Sequence, residues 1–143
     1  SRDQTIYRSA DGTAYHLCAT GMNTDINVVR ITDDGLSPSA EEIQILKGRR
    51  LEAPAVFGVG ETTWSLFSEC DGWNPTPGHT ASVVGNLLGP WTEGASCCID
   101  APSETSDKSQ SAFVFSAGPL GYDPKCFVYM GDRWNSSNVE SST

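Results

Sequence analysis

Three residues of chemistry-bearing type recur at similar intervals: Asp3 in Arg-Asp-Gln, Glu52 in Leu-Glu-Ala and Gln110 in Ser-Gln-Ser. The outer two stand roughly 50 to 60 residues to either side of Glu52, a spacing of the kind set by one repeated β unit. Glu52 is the most pointed of the three. In RRLEAPAVFGVG, from Arg49 to Gly60, it stands at the mouth of an apolar run. Pro54 is expected to push Ala53 toward extended geometry before Ala55, Val56 and Phe57 enter a buried strand. A carboxylate so placed is either trimmed back to solvent, the commoner fate of a strand-entry glutamate, or put to use. Apolar surroundings disfavour its charged form and leave a proton available for transfer.

The elements that would position these groups read as strands joined by turns. TIYRSADGTAYHLCAT, from Thr5 to Thr20, sets two β-rich runs around Asp11-Gly12, and NVVRITDDGL continues with Val28, Val29 and Ile31 to a second Asp-Gly turn at Asp34-Gly35. Such dipeptides between apolar runs mark hairpins. APAVFGVGETTWSLFSEC reads as another hairpin, HTASVVGNLLGPW as a strand ending at Gly89-Pro90, and AFVFSAGPLGYDPKCFVYMGDRW as a closing pair around a Gly and Pro loop. Helical periodicity is confined to Ser39 to Leu46. The expected fold is therefore all-β and antiparallel. Strand runs opening near Thr5, Pro54 and Ser111 suit β-propeller blades, whose innermost strands line a central channel. Residues 1–52, 53–109 and 110–143 would then be successive blades, with Asp3, Glu52 and Gln110 converging on one end of the channel. A β-sandwich with three unrelated polar caps fits the pattern equally.

The chain has 143 residues and a formal charge of −9, with only nine Lys and Arg. That disfavours a nucleic-acid partner, which needs clustered cations. No run of eighteen apolar residues exists to span a bilayer, so no membrane role is expected. The five cysteines, Cys18, Cys70, Cys97, Cys98 and Cys126, have no C-x-x-C spacing. No zinc site, other metal or cofactor is expected, and at least one thiol is left unpaired. His16 and His79 read as structural histidines. Asn135-Ser136-Ser137 is a glycosylation sequon, relevant only in a secretory pathway.

SRDQTIYRSADGTAYHL, RITDDGL, RRLEAPAVF, CDGWNPTPG, LLGPW and YMGDRW, taken in that order, resemble the five-bladed propellers of glycoside hydrolase family 43. The likeness is strongest to the exo-β-1,3-galactanase branch and runs from Ser1 to about Asn135. It implies that about three of five blades are present, that the first two precede Ser1, and that the activity needs those missing blades. It implies Glu52 as general acid and Asp3 as the carboxylate that tunes the acid and orients the sugar. Gln110 falls where the galactanase branch places a glutamine facing the attacking water.

Hydrolysis with inversion needs an acid at the leaving oxygen and a second group activating water on the opposite face of the ring. Gln110 suits the second role only by positioning, because an ordinary amide takes up no proton near neutrality. Without the resemblance, Asp3 reads as a turn residue and Gln110 as a solvated loop amide. In the loop CDGWNPTPG, Trp73 would stack on a sugar ring while Asn74 and Asp71 bond hydroxyls, unless Trp73 plugs the space between blades. Trp64, Trp91 and Trp134 read as core, and Asp132-Arg133 as an internal ion pair lining the channel. The implied protein is a secreted, extracellular enzyme acting on a polysaccharide or oligosaccharide. The alternatives are a carbohydrate-binding propeller without catalysis and an arabinan- or xylan-acting relative.

Overall fold

The computed structural model describes residues 2–98, 103–120 and 125–135. Ser136 and Ser137 of the sequon lie outside them. Four strands, β1 (Gln4–Arg8), β2 (Ala14–Thr20), β3 (Asp25–Ile31) and β4 (Pro38–Ile45), form an antiparallel meander in sequence order. A second meander follows: β5 (Leu51–Val59), β6 (Thr62–Glu69), β7 (Gly78–Val84) and β8 (Thr92–Ser96). A 3-10 helix (Ser103–Lys108) leads into a two-stranded sheet of β9 (Gln110–Ser116) and β10 (Phe127–Asp132).

The two Asp-Gly hairpin signals are made by one device used twice. At the β1–β2 turn Asp11 Oδ1 accepts from Ser9 Oγ at 2.6 Å and from the Thr13 amide at 2.9 Å. At the β3–β4 turn Asp34 Oδ1 accepts from Thr32 Oγ1 at 2.6 Å and from the Leu36 amide at 3.0 Å. Gly12 and Gly35 take φ of 89° and 74°, a region that costs glycine nothing.

One expectation about the strands fails, and one strand carries no sequence signal. Ser39 to Leu46 is not helical but is the outer strand β4, whose residues are mostly exposed and so carry no period-2 apolar signal. The second meander also has a fourth strand, TEGAS at Thr92–Ser96, exposed throughout and silent for the same reason.

The core forms where the first two sheets face each other. Leu17, Ile26 and Val28 of the first meet Leu51, Phe67 and Val83 of the second and Leu87 of the β7–β8 loop, with Trp91 packed against them. Trp91 also donates its indole N–H to the Leu87 carbonyl at 2.8 Å. Each such aliphatic side chain contributes about 1.5–3 kcal/mol by leaving water. The third sheet joins through β5, which packs against β1 and β2 on one side and β9 on the other. The Phe57 and Phe127 rings, 5.0 Å apart, fill that junction. The first strands of all three sheets are thus neighbours through β5. Leu17→Ala, at a fully buried position, is expected to cost about 2–5 kcal/mol, read as a lower midpoint in denaturant unfolding.

Candidate active site

Glu52 is the second residue of β5, and a bulge sets its direction. Glu52 pairs with Ser68 and Ala55 with Leu66, so Ala53 and Pro54 together oppose the single residue Phe67. Such an extra residue re-aims a side chain. The preference of a pre-proline residue for extended backbone is overturned here, because Ala53 takes φ of 54°, the left-handed region. Conformations of that kind cost about 1–3 kcal/mol and persist where neighbours over-determine them. Ser111 Oγ of β9 donates to the Ala53 carbonyl at 2.5 Å and supplies part of that restraint.

The re-aimed carboxyl is 7% exposed and is held from two sides. Asn23 Nδ2, in the β2–β3 turn, donates to Oε2 at 2.6 Å, and Gln110 Nε2 donates to Oε1 at 3.0 Å. The Gln110 amide nitrogen also reaches Ser68 Oγ at 3.3 Å, and its oxygen accepts from the Trp134 indole N–H at 3.0 Å. Asn23 is buried at 2% exposure with φ of 62°, a conformation asparagine tolerates. Its Nδ2 also lies 3.5 Å from Cys70 Sγ, and its Oδ1 has no hydrogen-bond partner among the described residues.

Asp3 is fixed just before β1 by its carbonyl, which accepts from the Ala19 amide at 3.0 Å. With Arg2, Asn23, Glu52, Cys70, Gly72, Trp73 and Gln110 it lines a cavity of about 340 Å3. Burial pushes the Glu52 carboxyl above its ordinary value and the charge of Asp3 pushes it further; hydrogen bonds from Cys70, Asn23 and Gln110 oppose both. A carboxyl pKa raised in this way is what a general acid requires.

The structure therefore brings Asp3, Glu52, Gln110 and Trp73 around one cavity. Asn74 lines the adjoining narrow cleft with Glu69, Lys108 and Trp134. Asp71 lines neither space; its carbonyl accepts from the Asn74 amide at 3.2 Å. His16 and His79 bond Gln4 and Glu69, at 2.9 and 2.8 Å.

Two readings are corrected. Trp134 is not core but 42% exposed, its ring edge-on to Trp73 with centroids 4.8 Å apart. Asp132 and Arg133 are exposed at the end of β10 rather than internal. Asn23 and Cys70 were not singled out as site residues, and Trp134 was misplaced. The motif containing Trp134 was visible, whereas nothing local marks Asn23 beyond its turn.

A larger cavity of about 630 Å3 lies at the opposite ends of β1 and β5, lined in part by Tyr7, Asp11, Arg30 and Glu41. Arg30 is tied there to Glu41 at 2.7 Å and Asp33 at 2.8 Å. Its cation is therefore engaged.

The chain is thus an all-β assembly of three blade-like antiparallel sheets, with an acid and amide site where their first strands begin. In structure it matches glycoside hydrolase family 43. A β-1,3-galactosidase of that family superposes with a TM-score of 0.88 at 46% identity, over 95% of this chain and 28% of its own length. The exo-β-1,3-galactanase from Clostridium thermocellum gives 0.83 at 25% identity, over 96% and 28%. The enzyme of that name from Phanerochaete chrysosporium, in complex with β-1,3-galactotriose, gives 0.80 at 28% identity, over 96% and 30%. The chain spans less than a third of each of these three proteins. No family model matches it, and no curated protein sequence matches it.

The balance at Glu52 gives a signed expectation. Asp3→Asn removes the like charge, so the Glu52 carboxyl should titrate at lower pH. The shift is read by 13C NMR of the side-chain carboxyl, and an unchanged titration would leave burial as the sole cause.

Proposed function

We propose that this chain supplies part of the active site of an inverting, exo-acting glycosidase that releases galactose from β-1,3-galactan. In this reading the three sheets are three blades of a closed five-bladed propeller, and the remaining blades come from preceding sequence. Activity belongs to the complete propeller. The observation that carries the reading is the buried Glu52 facing the same cavity as Asp3 and bonded to Gln110, with burial and the charge of Asp3 both raising its pKa.

Glu52 protonates the leaving glycosidic oxygen. Asp3 keeps that proton in place as pH rises and bonds the sugar. Gln110 positions water by hydrogen bonding, without taking up a proton as an ordinary amide. Trp73 offers its face to the axial C–H groups of galactose, while Asn74, in the adjoining cleft, meets hydroxyls at the rim. Because the substrate is a polymer too large to enter a cell, we place the enzyme outside it.

In the full-length protein, Glu52→Gln should lower kcat by about 10²–10⁴-fold and spare binding of galactan oligosaccharides. Turnover at the parental rate would end the assignment. The sign with pH is fixed: activity is retained below the raised Glu52 pKa and lost as pH climbs through it. Trp73→Ala should mainly raise KM, which initial rates against β-1,3-galactotriose concentration will read.

A further inference from the structure

We propose that Trp134 is a positioning residue: its indole N–H fixes which end of the Gln110 amide faces Glu52. The indole nitrogen is a donor only, so it can satisfy only the amide oxygen. With Oε1 bonded to Trp134 at 3.0 Å, the Gln110 NH2 group is turned to Glu52 Oε1 at 3.0 Å and Ser68 Oγ at 3.3 Å. In the opposite orientation two conflicts arise together, N–H against N–H at Trp134 and oxygen against carboxylate at Glu52. Protonating Glu52 removes the second conflict but leaves the first. Trp134 therefore holds Gln110 as a donor to Glu52 through both protonation states, and the acidic proton sits on a lone pair not turned to the amide.

Trp134 is well placed for this. β10 pairs Asp132 with Gln110, so the chain two residues on passes beside the amide, and contact with Trp73 holds the indole plane. The groups facing Glu52 are Asp3 and Arg2 before β1, Asn23 in the β2–β3 turn, and Cys70 after β6. From β9 the Gln110 amide faces it, and the donation from that amide lowers the Glu52 pKa against burial and Asp3. Losing the indole N–H frees the amide to turn over, and its oxygen then accepts from protonated Glu52 and strengthens proton retention.

The kinetic consequence rests on the hydrolase reading; the titration does not. In the full-length protein without substrate, Trp134→Phe keeps an aromatic ring beside Trp73 and removes the donor. The Glu52 carboxyl, followed by 13C NMR, should then titrate higher by on the order of one pH unit. An unchanged titration overturns the proposal. Adding Trp134→Phe to Gln110→Met should produce no further shift, and a further shift would show that Trp134 acts by another route.

With β-1,3-galactotriose as substrate, Trp134→Phe should lower kcat, move the basic limb of the pH profile upward and leave KM within about twofold. A raised KM with an unmoved limb would reduce Trp134 to a stacking surface. Absence of galactose release by the parent protein would end the hydrolase reading, with the titrations still deciding the role of Trp134.

Discussion

The site depends on keeping one carboxyl out of water without abandoning it. A buried charge is costly unless it is hydrogen-bonded, and Glu52 receives its bonds from two side-chain amides carried by other sheets, Asn23 from the first and Gln110 from the third. Those donors favour the ion, whereas burial and Asp3 favour the acid. The net of these opposing terms is a carboxyl pKa raised above its ordinary value, the direction that general acid catalysis asks for.

The backbone is arranged to permit this. An uninterrupted β5 would run Glu52 into regular alternation. The extra residue at Ala53 and Pro54 turns it instead, at the expense of a left-handed alanine that Ser111 of the third sheet restrains. The adjacent Phe57 and Phe127 rings give the same junction its apolar contact. Local strain and inter-sheet packing are therefore coupled at β5, the strand that touches the first strands of both neighbours.

Much of this was legible in the chain. Alternating apolar residues and Asp-Gly turns announced β1 to β3 and β5 to β7, whereas polar residues at the strand starts made Asp3, Glu52 and Gln110 neighbours only if the sheets were blades, which the pattern alone did not separate from a sandwich. What failed did so for identifiable reasons. β4 and β8 are exposed and lack an apolar face, so periodicity had nothing to report. Ala53 obeys the demands of a bulge over the local preference before proline. Asn23 and Trp134 act through contacts made only on folding. A large aromatic next to an apolar strand looks the same in sequence whether it plugs a core or orients an amide.

The distribution of the site over three sheets has a mechanical consequence. Every distance that sets the acidity of Glu52 is a distance between separately hydrogen-bonded units, and no single ladder fixes it. Small rigid-body tilts, from heating, pressure or a wedge between blades, would detune the chemistry while each sheet kept its own ladder intact. Function would then be lost ahead of secondary structure.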